Sequence, residues 1–231
     1  MLRTIHRVFL LLLTLGLTSA VVGQETGFTP LFDGSTLSGW VYGKEALERK
    51  TETADKRFFV GTGTIVLAAK DKDGKKDVRE LVTKQTFNKD FILRLEFKAA
   101  QEATGSVTVR GTAFPVGDFV RRNEYKNLKN FKNDGWNELE ITVRLVAYAE
   151  NRRLNESDTV EAEYRGGKAI VKVNGREVDP NQTLIQIEGI ASVNGQTLTN
   201  TRSRLMSTGP IGLKTGSGKI EFRNIRYREL R

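Results

Sequence analysis

Apolar and polar residues alternate along much of this chain in short runs, which is the pattern of half-buried β-strands. The clearest run is Phe91–Ala99. Its odd-numbered positions are Phe91, Leu93, Leu95 and Phe97, and its even-numbered positions include Arg94, Glu96 and Lys98. Because successive side chains of a strand point to opposite faces, this segment predicts one face in the core and one face that carries charge.

Similar runs predict strands throughout the chain, separated by clusters of glycine, asparagine and aspartate. The predicted strands are Arg57–Val60, Thr64–Ala69, Phe91–Ala99, Ser106–Arg110, Leu139–Ala147, Thr159–Tyr164, Ala169–Val173, Leu184–Glu188, Ile211–Lys214 and Ile220–Arg228. The Asn174-Gly175 dipeptide predicts a tight hairpin. Residues 44–53 are the stretch where a brief helix is expected. We therefore predict an all-β fold, and, since no linker or repeat divides the chain, one domain over residues 24–231.

The first 23 residues have the pattern of an export signal. Arg3 and Arg7 precede the apolar run Val8–Leu17, and small residues follow over Thr18–Gly23. The apolar run is shorter than the roughly 20 residues that a membrane-spanning helix needs. The sequence therefore predicts removal of residues 1–23 and export of the mature chain to the periplasm or the medium.

Composition then limits the chemistry. The whole chain has 37 basic and 28 acidic residues, one histidine and no cysteine. Removing the leader takes Arg3, Arg7 and His6, so the mature chain has a net charge of +7 and no histidine. Serine-histidine and cysteine-histidine catalysis, disulfides and the usual zinc ligands are excluded. Catalysis would use carboxylate, lysine, tyrosine or arginine. No cofactor is predicted, and an oxygen-ligated calcium site stays open.

The candidate site consists of Arg94, Glu96 and Arg110. In the strand after Phe91–Ala99, alternation places Thr108 and Arg110 on the polar side. A carboxylate held between guanidinium groups stays ionised and accepts hydrogen bonds from hydroxyl groups, while arginine donates to carbonyl or anionic oxygens. The alternative is a solvated sheet face with cross-strand ion pairs, each worth about 0.2 to 1 kcal/mol.

Motifs at both ends of the chain, and several between them, resemble the 3-keto-disaccharide hydrolase domain family. The matching segments are Gly27–Trp40, Asp90–Phe97, Gly135–Asn137, Asn174-Gly175, Gly209–Lys214 and Ile220–Leu230. The resemblance implies a concanavalin A-like jelly-roll β-sandwich of two antiparallel sheets. In such folds glycans commonly bind on the concave face, which is an argument from the fold alone.

The resemblance also implies a reaction. In a 3-keto sugar the carbonyl acidifies the C2 proton, so one base can form an enolate, the group at C1 leaves, and water adds back. One base and one stabiliser of the enolate suffice, so a chain without histidine can support this route. Glu96 is the expected base. Arg94, Arg110 and Thr108 are the expected substrate-binding residues.

Two motifs of the family are changed here. The family arginine that aligns with Arg110 is usually followed by Tyr-Glu-x-Gln, whereas this chain has Gly111–Pro115 with no acid. Thr215-Gly216 stands where the family has His-Gly. Two hypotheses therefore stay open: a diverged enzyme acting on 3-keto glycosides, and a non-catalytic carbohydrate-binding or surface-interaction module of the same fold.

The two tryptophans, Trp40 and Trp136, are expected in the core, with stacking on a sugar as the alternative. Asn137 is a further substrate-binding candidate, although it would equally hold a loop backbone.

The densest basic segment runs from Arg121 to Lys132. It suggests contact with an acidic polysaccharide or an anionic envelope surface. Nucleic acid is not expected as a partner, because no binding motif accompanies the segment. The expected ligand is a saccharide, and the oligomeric state is left open.

Overall fold

The computed structural model describes residues 27–71, 73–117, 128–149, 152–155, 157–165, 168–179, 183–198 and 203–230. The predicted leader, residues 1–23, and positions 121–127 of the basic segment lie outside these ranges. No helix long and apolar enough to cross a membrane occurs among the described residues.

The described residues form nineteen strands and no helix. In chain order the strands are β1 Thr29–Pro30, β2 Trp40–Tyr42, β3 Glu45–Ala46, β4 Phe58–Val60, β5 Ile65–Leu67, β6 Glu80–Thr83, β7 Phe91–Ala99, β8 Gly105–Val109, β9 Thr112–Val116, β10 Asn137–Ala149, β11 Arg152–Arg153, β12 Val160–Arg165, β13 Lys168–Val173, β14 Arg176–Val178, β15 Thr183–Val193, β16 Gln196–Thr197, β17 Ser203–Leu205, β18 Ile211–Thr215 and β19 Ile220–Glu229. Every predicted strand is present, with each end within five residues of its predicted position, and the all-β prediction is confirmed.

Two large antiparallel sheets build the sandwich. Within the described residues, one sheet has ten strands with the central order β16-β15-β10-β7-β19-β5-β4, while β1, β11 and β17 pair with β19, β10 and β15. The other has six strands in the order β3-β2-β6-β18-β8-β9. Strands that follow each other in the chain therefore often lie in different sheets, as β7 and β8 do. This jelly-roll arrangement confirms the predicted fold class.

One core lies between the two sheets. The apolar side chains at the odd-numbered positions of β7 from Phe91 to Phe97 are at most 1% exposed, and they share a continuous apolar cluster with Val107 and Val109 of β8 and with Leu213 of β18. Each fully buried side chain of this size contributes about 1.5 to 3 kcal/mol of transfer free energy. The predicted core face of β7 is confirmed, and its even-numbered residues lie on the outer face of the ten-stranded sheet.

A third sheet, β12-β13-β14, has a separate small core. Val171, Val173 and Val178 pack there with Ala149 and Leu154, apart from the main cluster. The turn between β13 and β14 is Asn174-Gly175, and both residues have positive φ values of 52° and 76°. These values match a two-residue type I′ turn, so the predicted hairpin is confirmed.

The helix expected at residues 44–53 does not form. Glu45–Ala46 is strand β3, paired with β2, and the amide of Leu47 continues this pairing with the Trp40 carbonyl at 2.9 Å. Leu47 is fully buried. Tertiary burial of this leucine in an extended segment therefore outweighs the local helix propensity.

The two tryptophans differ. Trp40 is fully buried, and its Nε1 donates to the Leu31 carbonyl at 2.9 Å, which confirms the predicted core position. Trp136 is only half-buried, and the Arg223 guanidinium lies 4.0 Å from its ring centre. The prediction that Trp136 is a core residue is wrong, since its ring packs against a charged side chain at the surface.

Candidate functional site

Two of the predicted site residues, Arg94 and Glu96, lie together on the outer face of the ten-stranded sheet. Strand β7 runs between β10 and β19, so both residues have neighbours on either side. Glu96 is opposite Glu138 and Arg223, and Arg94 is opposite Glu140 and Arg226. We call these six residues, together with Phe28, Trp136, Asn224 and Arg228, the arginine face.

Ion pairs across the strands hold the arginine face together. Arg94 Nε donates to Glu140 Oε2 at 2.6 Å. Glu96 accepts two hydrogen bonds, from Arg223 Nε to Oε2 at 2.6 Å and from Asn224 Nδ2 to Oε1 at 2.7 Å. Each oxygen of the Glu96 carboxylate therefore already has a donor in the folded protein.

A β-bulge in β19 creates the second of these bonds. The register with β7 shifts between Arg223 and Arg226, and Asn224 within the bulge has a φ of 52°. An extra residue in one strand re-aims its side chain, which here brings Asn224 to Glu96.

Aromatic rings complete the arginine face. The guanidinium groups of Arg94, Arg226 and Arg228 lie 5.0, 5.4 and 4.9 Å from the ring centre of Phe28. Contacts of this kind are worth about 0.5 to 1 kcal/mol each at exposed sites. The face combines planar donors, carboxylates and aromatic surface, which are groups that contact sugars.

The structure separates Arg110 from Arg94 and Glu96. Strand β8 ends at Val109, and Arg110-Gly111 forms the two-residue turn to β9 with φ values of 49° and 80°. Arg110 is 1% exposed, its Nη2 donates to the Lys89 carbonyl, and its guanidinium lies 5.3 Å from the Phe91 ring centre. Burial lowers the pKa of Arg110, although Asp90 partly offsets this effect. The prediction that Arg110 lies on the polar side is wrong, because the turn interrupts the alternation.

Asn137 is buried within a loop rather than open to a ligand. Its Nδ2 donates to the carbonyls of Lys132 and Gly135 at 2.9 and 3.0 Å. Its Oδ1 accepts from the Lys132 amide and from Asn194 Nδ2, both at 2.8 Å. The hydrogen-bonding capacity of the side chain is used within the loop, in agreement with the loop-backbone alternative.

Thr108 belongs to the six-stranded sheet and lies on its outer face. Its hydroxyl donates to Glu80 Oε1, so the two side chains meet across the intervening strand β18. Thr108 is 7% exposed and Glu80 is half-buried. Sequence analysis missed Glu80, although the β-branched residues Val82 and Thr83, directly after Leu81, are a short strand signal that follows a charged loop.

Two surface grooves lie away from these residues. One of about 590 Å³ is lined by the N-terminal segment 30–33 and by Thr83, Lys84 and Gln85. Another of about 740 Å³ lies beside the third sheet and is lined in part by Arg144, Arg153 and Asp158. In the described part of the chain, no group of three or more histidine, aspartate or glutamate side chains could hold a metal ion.

Comparison with known proteins shows which family the sequence belongs to. The sequence matches the model of the 3-keto-alpha-glucoside-1,2-lyase-like domain over residues 27–228. The chain belongs to this family. The predicted resemblance is thereby confirmed over the described sandwich. No curated protein matches the sequence.

Several solved structures are similar to this lyase-like domain at low sequence identity. A candidate glycosyl hydrolase from Parabacteroides distasonis is 13% identical, with a TM-score of 0.50 over 89% of this chain and 95% of that chain. A second one from the same organism is 17% identical, with a TM-score of 0.45 over 88% and 99%. A Bacillus licheniformis β-glucanase is 14% identical, with a TM-score of 0.38 over 90% and 100%. The first of these likenesses supports the β-sandwich fold and nothing finer.

The two changed motifs have structural roles in this lyase-like domain. On β9, Ala113 is exposed and Phe114 is in the core, so the edge strand brings no ionisable group to the outer face. Thr215 is 4% exposed, and its hydroxyl accepts from the Arg79 amide at 2.8 Å. Thr215 therefore anchors the start of β6, next to Glu80.

Proposed function

We propose that this protein is a carbohydrate-active enzyme that cleaves 3-keto glycosides by C2 proton abstraction, elimination and hydration. The observation that carries the proposal is the family match over residues 27–228. The single histidine, His6, lies outside the matched region, so the base in this chain has to be a carboxylate or another non-histidine group.

The reaction balances without a metal or a redox partner. A base takes the C2 proton, and the electron pair of the C2–H bond forms an enolate whose charge rests on the C3 oxygen. The enolate then re-forms the C3 carbonyl as the C1–O bond breaks, and the aglycone leaves and takes a proton from water. Addition of water across C1 and C2 returns the proton to C2 and gives the free 3-keto sugar.

The test follows aglycone release from chromogenic 3-keto-α- and 3-keto-β-glucosides, with the parent glucosides as controls. We expect turnover of a 3-keto substrate and none of its parent, because only the carbonyl acidifies the C2 proton. Deuterium at C2 should slow the reaction if removal of that proton limits the rate. Equal turnover of both substrates, or of neither, would overturn the proposed enzyme.

A non-catalytic saccharide-binding module is the second candidate function. The observations that favour it are the two donors on Glu96 and the separation of Arg110 from the arginine face. This candidate predicts retention on immobilised glycans without aglycone release, and a loss of retention in Trp136→Ala. Binding to an acidic polysaccharide or envelope surface would instead weaken steeply as salt rises.

Export is part of the proposal. Removal of residues 1–23 would leave a mature chain that meets saccharides outside the cytoplasm. Mass spectrometry of the protein recovered from the periplasm or medium tests this, with a mature chain beginning at Gln24 as the expected result.

A further inference from the structure

The two outer faces differ in how their carboxylates are bonded. On the arginine face, both oxygens of Glu96 accept hydrogen bonds, at 2.6 and 2.7 Å. On the six-stranded sheet, Glu80 Oε1 accepts one hydrogen bond, from Thr108. Among the described residues, Glu80 Oε2 has no hydrogen-bond or ion-pair partner. A general base needs an oxygen that can reach a substrate proton, which favours Glu80.

A glycine makes the Glu80–Thr108 contact possible. Strand β18 runs between β6 and β8, and Gly212 on β18 is opposite both Val82 and Thr108. A Cβ atom at position 212 would lie under 3.0 Å from both Thr108 Oγ1 and Glu80 Oε1. The missing side chain therefore lets the carboxylate lie flat across the middle strand, held by a hydroxyl from two strands away.

The backbone that carries Glu80 is fixed at its start. The buried Arg57 donates to the Ala68 carbonyl at 2.6 Å and to the Asp77 carbonyl at 3.2 Å, so it joins the two ends of the charged loop before β6. Arg79 and Thr215 then exchange backbone and hydroxyl hydrogen bonds at 2.8 Å. Glu80 follows directly after these anchors, so its position is set before any ligand arrives.

A cation lies beside Glu80 on the same face. Lys214 of β18 is directly opposite Glu80 of β6 and Ser106 of β8. Its neighbour Leu213 is fully buried, so the Lys214 side chain points to the outer face. Directly opposed residues have Cβ atoms about 4.5 to 5.5 Å apart. The Glu80 carboxylate and the Lys214 side chain are therefore close enough to contact the same sugar ring.

We propose that Glu80 is the general base that removes the C2 proton, and that Lys214 stabilises the negative charge that develops on the C3 oxygen. This assignment rests on the proposed function and names the face on which it takes place. Glu80 becomes a carboxylic acid as the enolate forms, and Lys214 takes no part in the proton transfer. Thr108 and Gly212 are positioning residues, because they orient the carboxylate and do not contact the reacting atoms.

The main test is Glu80→Gln, which keeps the shape and the Thr108 acceptor but removes the base. Loss of a general base costs about 10² to 10⁴ in rate, so we expect kcat on a 3-keto glycoside to fall at least about 100-fold. The KM should change little, since the amide still fits the site. Glu45→Gln is the matched control, because Glu45 lies on strand β3 of the same sheet and, within the described ranges, its carboxylate forms an ion pair only with Lys50 at the surface.

Gly212→Ala tests the position of Glu80 while the residue at position 80 stays a glutamate. The added methyl group should push Glu80 and Thr108 apart and lower kcat. Gly43→Ala is the control: its Cβ would meet no atom within 4 Å, and its effect on kcat and on thermal stability shows what an alanine costs in a turn with positive φ next to the same sheet. Thermal unfolding of each variant separates loss of fold from loss of chemistry.

The outcomes distinguish the two levels of proposal. Wild-type protein that releases no aglycone overturns the proposed function. Wild-type protein that turns over while Glu80→Gln keeps the wild-type kcat overturns the Glu80 assignment and leaves the function intact. If the loss of kcat follows Glu96→Gln and not Glu80→Gln, the base lies on the arginine face and the assignment is likewise wrong.

Discussion

At the scale of single residues, Arg110 illustrates how one turn can redirect a side chain. Strand alternation sends it outward, but the left-handed φ of 49° turns it into the sandwich. Gly209 packs against it so closely that a Cβ there would lie 2.8 Å from the Arg110 Cα. The guanidinium then joins the β8–β9 turn to the segment before β7, so we interpret Arg110 as a clamp and not as a ligand contact.

We expect Arg110→Ala to destabilise the fold by about 2 to 4 kcal/mol, since it leaves a cavity beside Phe91 and removes the donor to Lys89. Chemical denaturation measures this. Arg204→Ala is the control, because Arg204 is exposed, and its change should stay within about 0.5 kcal/mol. Equal, small losses of stability in both variants would contradict the role of Arg110 as a clamp. A loss of saccharide binding in Arg110→Ala is compared with the fraction of that variant that is folded.

Asp33 gives a prediction about pH. Burial opposes its ionisation, but hydrogen bonds from Thr36 and Ser35 outweigh this and hold its pKa at about 2, against an ordinary 3.8. The folded pKa is the lower one, so the unfolded chain binds more protons between these values, and stability falls as the pH drops through this window. Because Asp33 is exposed, solvent screening reduces its contribution to about 1 kcal/mol.

Urea denaturation of Asp33→Ala and wild type from pH 2 to 7 tests this. The difference between their free energies of unfolding should be about 1 kcal/mol at neutral pH and should shrink below pH 4, because protonation of the Asp33 carboxylate weakens the hydrogen bonds that it accepts. Asp73→Ala is the control, because the Asp73 carboxylate accepts no hydrogen bond among the described residues. A difference in the free energy of unfolding that stays constant down to pH 2 would contradict the prediction.

At the scale of elements, the sequence predicts strands and their faces better than it predicts their partners. Strand β7 is predicted with the ends that it has and with both faces, because apolar residues hold its odd-numbered positions and charged residues hold positions 94, 96 and 98. Its neighbours could not be predicted, since pairing with β10 and β19 joins residues that are far apart in the chain. The short strand β6, after a charged loop, gives too few residues for its alternation to stand out.

This explains why the predicted site was only partly assembled. Arg94 and Glu96 lie on one strand, so their shared face follows from the period of two alone. Thr108 was placed correctly on a polar face, but β8 belongs to the other sheet, where its partner is Glu80. Local alternation sets the face of a residue within its own sheet, whereas a site that spans strands depends on register and sheet order.

The ion pair between Arg223 and Glu96 joins two of the central strands. A double-mutant cycle with Arg223→Ala and Glu96→Ala should give a coupling energy of about 0.5 to 1 kcal/mol at low salt and less at high salt. The pair is half-buried and its distance is 2.6 Å. The exposed pair Lys84–Glu48, at 3.4 Å, is the matched control and should couple by less than about 0.3 kcal/mol. Similar coupling energies for both pairs would contradict the prediction that the half-buried pair of the arginine face is stronger than an exposed pair.

At the scale of the whole molecule, the third sheet is the part we expect to open first. Among the side chains that the structure describes, its core has five aliphatic ones, while the main core joins both large sheets through fully buried phenylalanine and leucine. Local stability follows the amount of buried apolar surface, so β12–β14 should exchange amide hydrogens earlier than β7. Hydrogen exchange with mass spectrometry resolves these segments.

Two substitutions make this prediction specific. Val173→Ala, in the small core, should raise exchange in β12–β14 and leave protection in β7 unchanged. Leu95→Ala, in the main core at 0% exposed, should cost about 2 to 5 kcal/mol and raise exchange in both regions. The asymmetry follows because the third sheet can open while the sandwich stays folded, whereas the third sheet loses its support when the sandwich opens. If Val173→Ala lowers protection in β7 as much as in β12–β14, the two cores unfold as one unit.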